Sequence, residues 1–195
     1  AGRTDLSMTP EFKGWPKTQR LHRDVVITEK IDGTNACVIV TEDGEVAAQS
    51  RTRIITPEQD NFGFAAWVQE HADELRALGA GYHFGEWYGK GIQRTYGLDE
   101  RRFALFSPRK QQETLGWGWM PSTVPCCEVV PVIWQGTADR LNEYVERCVA
   151  NLRWHGSYLV PGFTAPEGLV VYHTAARQTF KVLLEGDDIP KGVAA

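Results

Sequence analysis

A lysine closes an apolar run in the stretch TEKIDGTN, where a buried charge is costly unless something uses it. Four more charged residues stand in or beside apolar strands in the same way: Arg51 in QSRTR, Glu86 in FGEWYG, Glu167 in PEGLVV and Lys181 in TFKVLL. Each alone has an ordinary explanation, since a strand-end glutamate can face water and a lysine can carry its charge out from a strand edge. Together, two lysines, an arginine and two glutamates converging on one cleft suit a phosphate-plus-metal site. The basic groups would hold phosphate oxygens, and the carboxylates a divalent ion, directly or through its waters.

Such a set could turn a lysine into a nucleophile. An amine attacks only when deprotonated, and a reference pKa of about 10.4 makes that rare at neutral pH. A neighbouring cation or desolvation lowers it. A neutral Lys30 amine beside a nucleotide α-phosphate could then displace pyrophosphate and leave a lysyl-nucleotide phosphoramide. The charge on that phosphate needs a cation, which Lys181 and the metal could supply.

The elements that must position these residues can be read from pattern. VVIT before Lys30 is β-branched and apolar, Asp32-Gly33 is a turn signal, and ACVIV resumes as a strand, so Lys30 is expected at the end of one strand of a hairpin. EVAAQS follows as a third strand after an EDG turn. NFGFAAWVQEHADELRALG has helical spacing and is expected as one helix ended by Gly79. HFGEWYG and RRFALFS are two more strands, and CCEVVPVIWQG reads as one strand ending near Gly136. TADRLNEYVERCVANLRWHGS is a second helix, with Thr137 as N-cap and an apolar stripe of Leu141, Tyr144, Val145, Cys148 and Leu152. EGLVVYHTA and RQTFKVLLE form a closing hairpin. The Gly/Pro-rich opening is expected to drape over the body, pinned by Phe12 and Trp15. The fold class is α+β, antiparallel β-sheets with flanking helices.

At 195 residues the chain has the length of one domain, 1–195, with a substantial core. Its 42% hydrophobic and 24% charged residues are those of an ordinary soluble protein. A net charge of −4 argues against a surface coated in nucleic acid, but not against a local basic groove. Arg101-Arg102 and Arg109-Lys110 flank FALFSP and read as solvated strand ends. Trp117 and Trp119 in GWGWMP read equally as a binding surface or a packed loop. No apolar run reaches membrane-spanning length and no signal-peptide pattern opens the chain, so no membrane partner and a cytoplasmic location are expected. The four cysteines show no C-x-x-C and read as buried reduced thiols.

EKIDGTN, with its pattern K-x-D-G-x-N, resembles the nucleotidyl-lysine motif shared by polynucleotide ligases and mRNA capping enzymes. SRTR, FGEWYG, EGLVV and TFKVL resemble the motifs that follow it in that superfamily, in the same order. FALFS falls where the superfamily carries an aromatic strand that stacks on the base. The FGEWYGKGIQ form is most similar to the RNA ligase 2 group of phage and bacterial RNA ligases.

The resemblance implies an ATP-grasp-like adenylyltransferase (nucleotidyltransferase) domain, and roles for its residues. Lys30 would be the adenylated nucleophile, supported by Asp32 and by Asn35 near ribose or phosphate. Glu29 would meet the adenine region, mainly through its backbone. Arg51 would bind ribose or phosphate, and Glu86 the ribose hydroxyl or a metal-bound water. Phe106 would stack on adenine; Phe103, three residues away, faces the other side of the strand. Glu167 would position Mg²⁺ (or Mn²⁺), with Glu86 as the second metal residue, and Lys181 would hold the α-phosphate.

Two departures stand out. The fifth motif usually carries two lysines at alternate positions, and Leu183 or Thr179 stands where the second would be. Arg177, further back on the same strand face, is the candidate to compensate. No separate C-terminal domain is expected, so nick sensing would be poor or would fall to an accessory protein or domain. The implied function is an ATP-dependent RNA ligase acting on nicked or single-stranded RNA ends in RNA repair, with its oligomeric state left open. A DNA ligase, a guanylyltransferase and a catalytically weak nucleotide or RNA-end binding module remain alternatives.

Overall fold

Alternating apolar side chains along DVVITEK bury one face of the first strand, β1 (Asp24–Lys30), where Val25 and Ile27 are inaccessible to solvent. The structure, a computed structural model, describes residues 11–106 and 124–187. Two sheets carry the described fold. In the first, the order is β10 (Gln178–Leu183), β9 (Gly168–His173), β1, β8 (Val132–Thr137), all antiparallel. In the second, the order is β4 (Ile54–Ile55), β3 (Val46–Ser50), β2 (Thr34–Val40), β5 (Gly81–Gly89), β6 (Arg101–Leu105), β7 (Cys127–Val129). Its one parallel pair is β6 with β7.

The expected hairpin of β1 and β2 does not form. β1 pairs with β8 and β9, and β2 pairs with β3 and β5. The IDG turn instead carries the chain from one sheet to the other. Ile31 buries itself between the sheets with Tyr88, Tyr96, Ala104, Val130 and Val160. Burying a side chain of that size contributes about 1.5–3 kcal/mol, which favours the crossing over a hairpin that would leave Ile31 in water. Lys30 therefore stands where the two sheets meet.

The 126–136 segment also differs from expectation. It is two strands rather than one, because Pro131 has no N–H to continue a ladder. β7 joins the second sheet and β8 the first, and the Pro131 carbonyl accepts the Glu29 N–H at 3.0 Å.

Helices cover the outer faces. The expected single helix over 61–79 is broken into α1 (Phe64–Glu70), α2 (Ala72–Leu75) and a 3₁₀ turn (Arg76–Leu78). The break is at His71, whose backbone leaves the helical region and whose ring stacks on Trp67 at 4.8 Å. The Asp60 carboxylate caps α1, accepting the Ala65 and Ala66 N–H groups at 2.8 and 3.0 Å. Phe64 and Val68 pack on Val38, Trp87 and Phe103 of the second sheet.

α3 (Leu141–His155) places its predicted stripe against the first sheet, with Cys148 and Leu152 packed on Val25, Ile27, Leu169 and Val171. Thr137 makes no side-chain cap; it ends β8 in extended conformation, and a 3₁₀ turn at Ala138–Arg140 leads into α3. Cys37, Cys127 and Cys148 are buried, while Cys126 is partly exposed. Phe12 and Trp15 pin nothing: both are almost wholly exposed, in a stretch without regular structure. Arg109, Lys110, Trp117 and Trp119 lie outside the described residues. No described helix is long and apolar enough to cross a membrane.

Candidate active site

Between the sheets, the turn after β1 and the start of β2 bring Gly33 and Asn35 onto Glu86 of β5. Gly33 donates its N–H to Glu86 Oε1 at 3.1 Å, and Asn35 Nδ2 donates to Glu86 Oε2 at 3.1 Å. Both carboxylate oxygens are thus aimed by the residues that follow Lys30. The approach requires glycine, because a Cβ on Gly33 would lie 2.4 Å from the Trp87 carbonyl oxygen. Glu86 is buried, and burial pushes its carboxyl up to about 7, against the opposing pull of the Lys30 ammonium and the Gly33 N–H.

Lys30 is partly buried and pairs with Glu167, Nζ to Oε2, at 2.5 Å. Backbone register makes this contact: Lys30 lies opposite Gly168, the first residue of β9, and Glu167 immediately precedes it. A Cβ on Gly168 would meet the Val182 carbonyl oxygen at 2.1 Å, so glycine is needed for β9 to close against β10. Lys30, Asp32, Asn35, Glu86 and Glu167 therefore belong to one cluster.

The remaining expected residues lie around it. Lys181 is exposed on β10, opposite Val170, which is opposite Thr28; strand alternation puts Thr28 and Lys30 on one face. Arg51 is exposed in the turn after β3, one step past the Ala36–Ser50 pair. Phe106 is 40% exposed, and its N–H donates to the Phe84 carbonyl at 3.0 Å. Phe103 is locked in the opposite face, with ring centroids 5.1 Å from Phe64 and 5.8 Å from Trp67. Arg177 lies in the turn before β10 with φ 53°, so it does not share the strand alternation that would align it with Lys181.

Glu29 stands apart. It alternates with Lys30 and points to the α3 side of the first sheet, fully buried. Its Oε2 accepts the Tyr158 and Leu159 N–H groups at 2.8 and 3.0 Å. Burial pushes its carboxyl up, opposed first by the Ser157 side chain and then by these two N–H groups.

Two residues at the cluster carried no sequence signal. Asp32 donates its N–H to the Tyr96 hydroxyl at 2.8 Å, and its Oδ2 lies 2.9 Å from Arg94 Nε, an ion pair by distance without hydrogen-bond alignment. Arg94 Nη1 also donates to the Ala165 carbonyl at 3.0 Å, two residues before Glu167. Their loop follows β5 and holds Gln93, Thr95 and Tyr96 at φ 44°, 57° and 56°. Left-handed backbone at non-glycine residues costs on the order of 1–3 kcal/mol each and persists where the surroundings enforce it. In sequence, IQRTYGLDE reads as a polar loop; only its length and its tyrosine could have hinted at a buried role.

No group of three or more His, Cys, Asp or Glu that could hold a metal ion occurs among the described residues. Two carboxylates do face the cleft, and Mg²⁺ is commonly held by one or two carboxylates with substrate phosphates completing its shell. The donor set therefore fits an ion that arrives with a nucleotide.

The fold is that of solved RNA ligases. A Naegleria gruberi RNA ligase mutant with ATP and Mn matches with a TM-score of 0.57 and 19% identity, over 87% of this chain and 52% of that one. A second mutant of that enzyme with ATP and Mn matches with a TM-score of 0.59 and 17% identity, over 91% and 58%. An archaeal ATP-dependent RNA ligase matches with a TM-score of 0.57 and 17% identity, over 88% and 48%. The chain thus spans about half the length of the structures it matches. The RNA ligase family model matches residues 23–183, most of the chain, with the cleft residues inside the match, and the chain belongs to the RNA ligase family.

Proposed function

We propose that the chain carries the nucleotidyltransferase centre of an ATP-dependent RNA ligase, with Lys30 as the nucleophile. The observation that supports this most is the Lys30–Glu167 pair at 2.5 Å beside a Glu86 carboxylate aimed by Gly33 and Asn35. A lone surface lysine needs none of that support.

In the first step Lys30 Nζ attacks the α-phosphorus of ATP. An N–P bond forms, the bond from the α-phosphorus to the bridging oxygen breaks, and pyrophosphate leaves. Glu167 Oε2 holds the Lys30 ammonium in place before its proton is lost to solvent, so the carboxylate positions the amine rather than taking its proton. Lys181, on the same sheet face, offsets charge on the α-phosphate. Phe106 supplies an exposed ring for the base, Arg51 reaches ribose or phosphate, and Asn35 and Glu86 face the ribose. Glu86 and Glu167 would hold a Mg²⁺ or Mn²⁺ ion together with the nucleotide phosphates, and that ion would supply further positive charge; ATP and Mn accompany two of the similar structures described above.

In the second step a 5′-phosphate oxygen of RNA attacks the same phosphorus, the N–P bond breaks, and Lys30 is regenerated. In the third, a 3′-hydroxyl attacks the activated 5′-phosphate and AMP leaves.

The test is incubation with α-labelled ATP and Mg²⁺ without nucleic acid, followed by a denaturing gel. A labelled protein band that pyrophosphate removes is expected. No band with ATP from folded protein free of bound AMP would overturn the assignment, and a band with GTP alone would move it to guanylyl transfer.

A further inference from the structure

The second sheet keeps one face under α1 and α2 and turns the other toward the cleft. On that cleft face, β5 presents alternate residues in a row: Tyr82, Phe84, Glu86 and Tyr88. The last two are buried in or beside the cluster. The first two are 63% and 54% exposed, large aromatic rings left in water. Their centroids are 6.2 Å apart and their planes 15° apart. Phe106 adjoins the row, since its hydrogen bond to Phe84 continues the Gly85–Leu105 register. The result is an aromatic strip running from the Glu86 cluster outward along one strand. The exposed Phe180, by contrast, lies opposite Val171, on the α3 face of the other sheet.

We propose that Tyr82 and Phe84 form a stacking platform for the unpaired bases of the RNA end that is brought to Lys30. This rests on the RNA-joining reading above. Three observations favour RNA over another occupant. The strip is continuous with the pocket, and the nucleotides behind a reacting end must lie on a surface that continues from it. It consists of near-parallel exposed rings rather than a concave apolar pocket, which suits planar bases. Stacking on aromatic rings tolerates any sequence, as end joining requires, and it adds affinity without the basic surface that a net charge of −4 denies the whole chain.

Binding of a fluorescein-labelled single-stranded oligoribonucleotide, followed by anisotropy at fixed salt, tests the platform. Tyr82→Ala and Phe84→Ala are each expected to weaken binding by roughly tenfold, the scale of one lost base stack. Tyr82→Phe keeps the ring and should bind like wild type. Self-adenylation of Tyr82→Ala with ATP alone should stay within about twofold of wild type, because Tyr82 lies two alternate positions from Glu86, about 13 Å along the strand. Unchanged RNA affinity in Tyr82→Ala overturns the proposal, also where that variant dissociates a dimer, which would make the strip a self-association surface. Loss of self-adenylation together with RNA binding in Tyr82→Ala overturns it too. Failure of the wild type to adenylate itself would sink the ligase reading instead, and the anisotropy still decides the platform.

Discussion

On the proposed reading Lys30 must lose a proton and then attack phosphorus, with Glu167 assigned to position the amine and Lys181 to offset charge on the phosphate. Lys30→Ala is expected to abolish the labelled band while leaving thermal unfolding unchanged, since the side chain is partly exposed and its pair with Glu167 adds little stability. Lys181→Ala should cut the self-adenylation rate severely, with Lys181→Arg recovering only part, because a planar guanidinium does not reproduce a compact ammonium. Glu86 is expected to set the pH response. Its carboxyl, pushed up to about 7, is partly protonated at neutral pH, and a protonated carboxyl cannot hold a cation. Self-adenylation should therefore rise between about pH 6 and 8, and Glu86→Gln should flatten that rise as well as lower the rate.

At the scale of elements, the site depends on connections more than on strands. The loop after β5 returns to clasp the turn after β1, through Tyr96 and Arg94, and Arg94 reaches on to the segment before β9. Arg94→Ala is expected to cost about 1 kcal/mol or less in stability, since the ion pair is a quarter to a third exposed. Its effect on adenylation should be larger, about ten- to a hundredfold in rate at saturating ATP, because it frees both the Asp32 turn and the approach to Glu167. Arg94→Lys should rescue little, lacking the fork that reaches two acceptors. Gly33→Ala forces a methyl against the Trp87 carbonyl and should destabilise the fold by about 1–3 kcal/mol, read as a drop in the denaturation midpoint.

The whole molecule carries the burial of Glu86 as a stability term. A buried carboxyl raised from 4.5 to about 7 makes the folded state bind a proton more tightly than the unfolded one. Stability contributed this way is complete below about pH 4.5 and is lost as pH rises through 7. The loss is on the order of 3 kcal/mol by the pKa difference, for a side chain almost fully out of solvent. Denaturant titrations of wild type should show that decline, superimposed on the rest of the molecule. Glu86→Gln should remove it, and an equal slope in the variant would show that the decline belongs to other groups.

Local pattern determined much of this protein. Apolar, β-branched runs bounded by turn signals placed β1, β2, β3, β5, β6, β9 and β10, and helical spacing placed α3 with its buried stripe, because those signals arise within a few residues. The convergence of Lys30, Glu86 and Glu167 was legible for a related reason: charges beside apolar strands are costly, so their positions stand out. Tertiary structure decided the rest. Whether IDG closes a hairpin or crosses between sheets depends on where Ile31 finds apolar partners, all of them more than fifty residues away. The split at Pro131 depends on which sheet each half can join. Arg94 and Tyr96 became part of the site through contacts with Asp32 more than sixty residues back in the chain, and no local periodicity encodes a contact of that range.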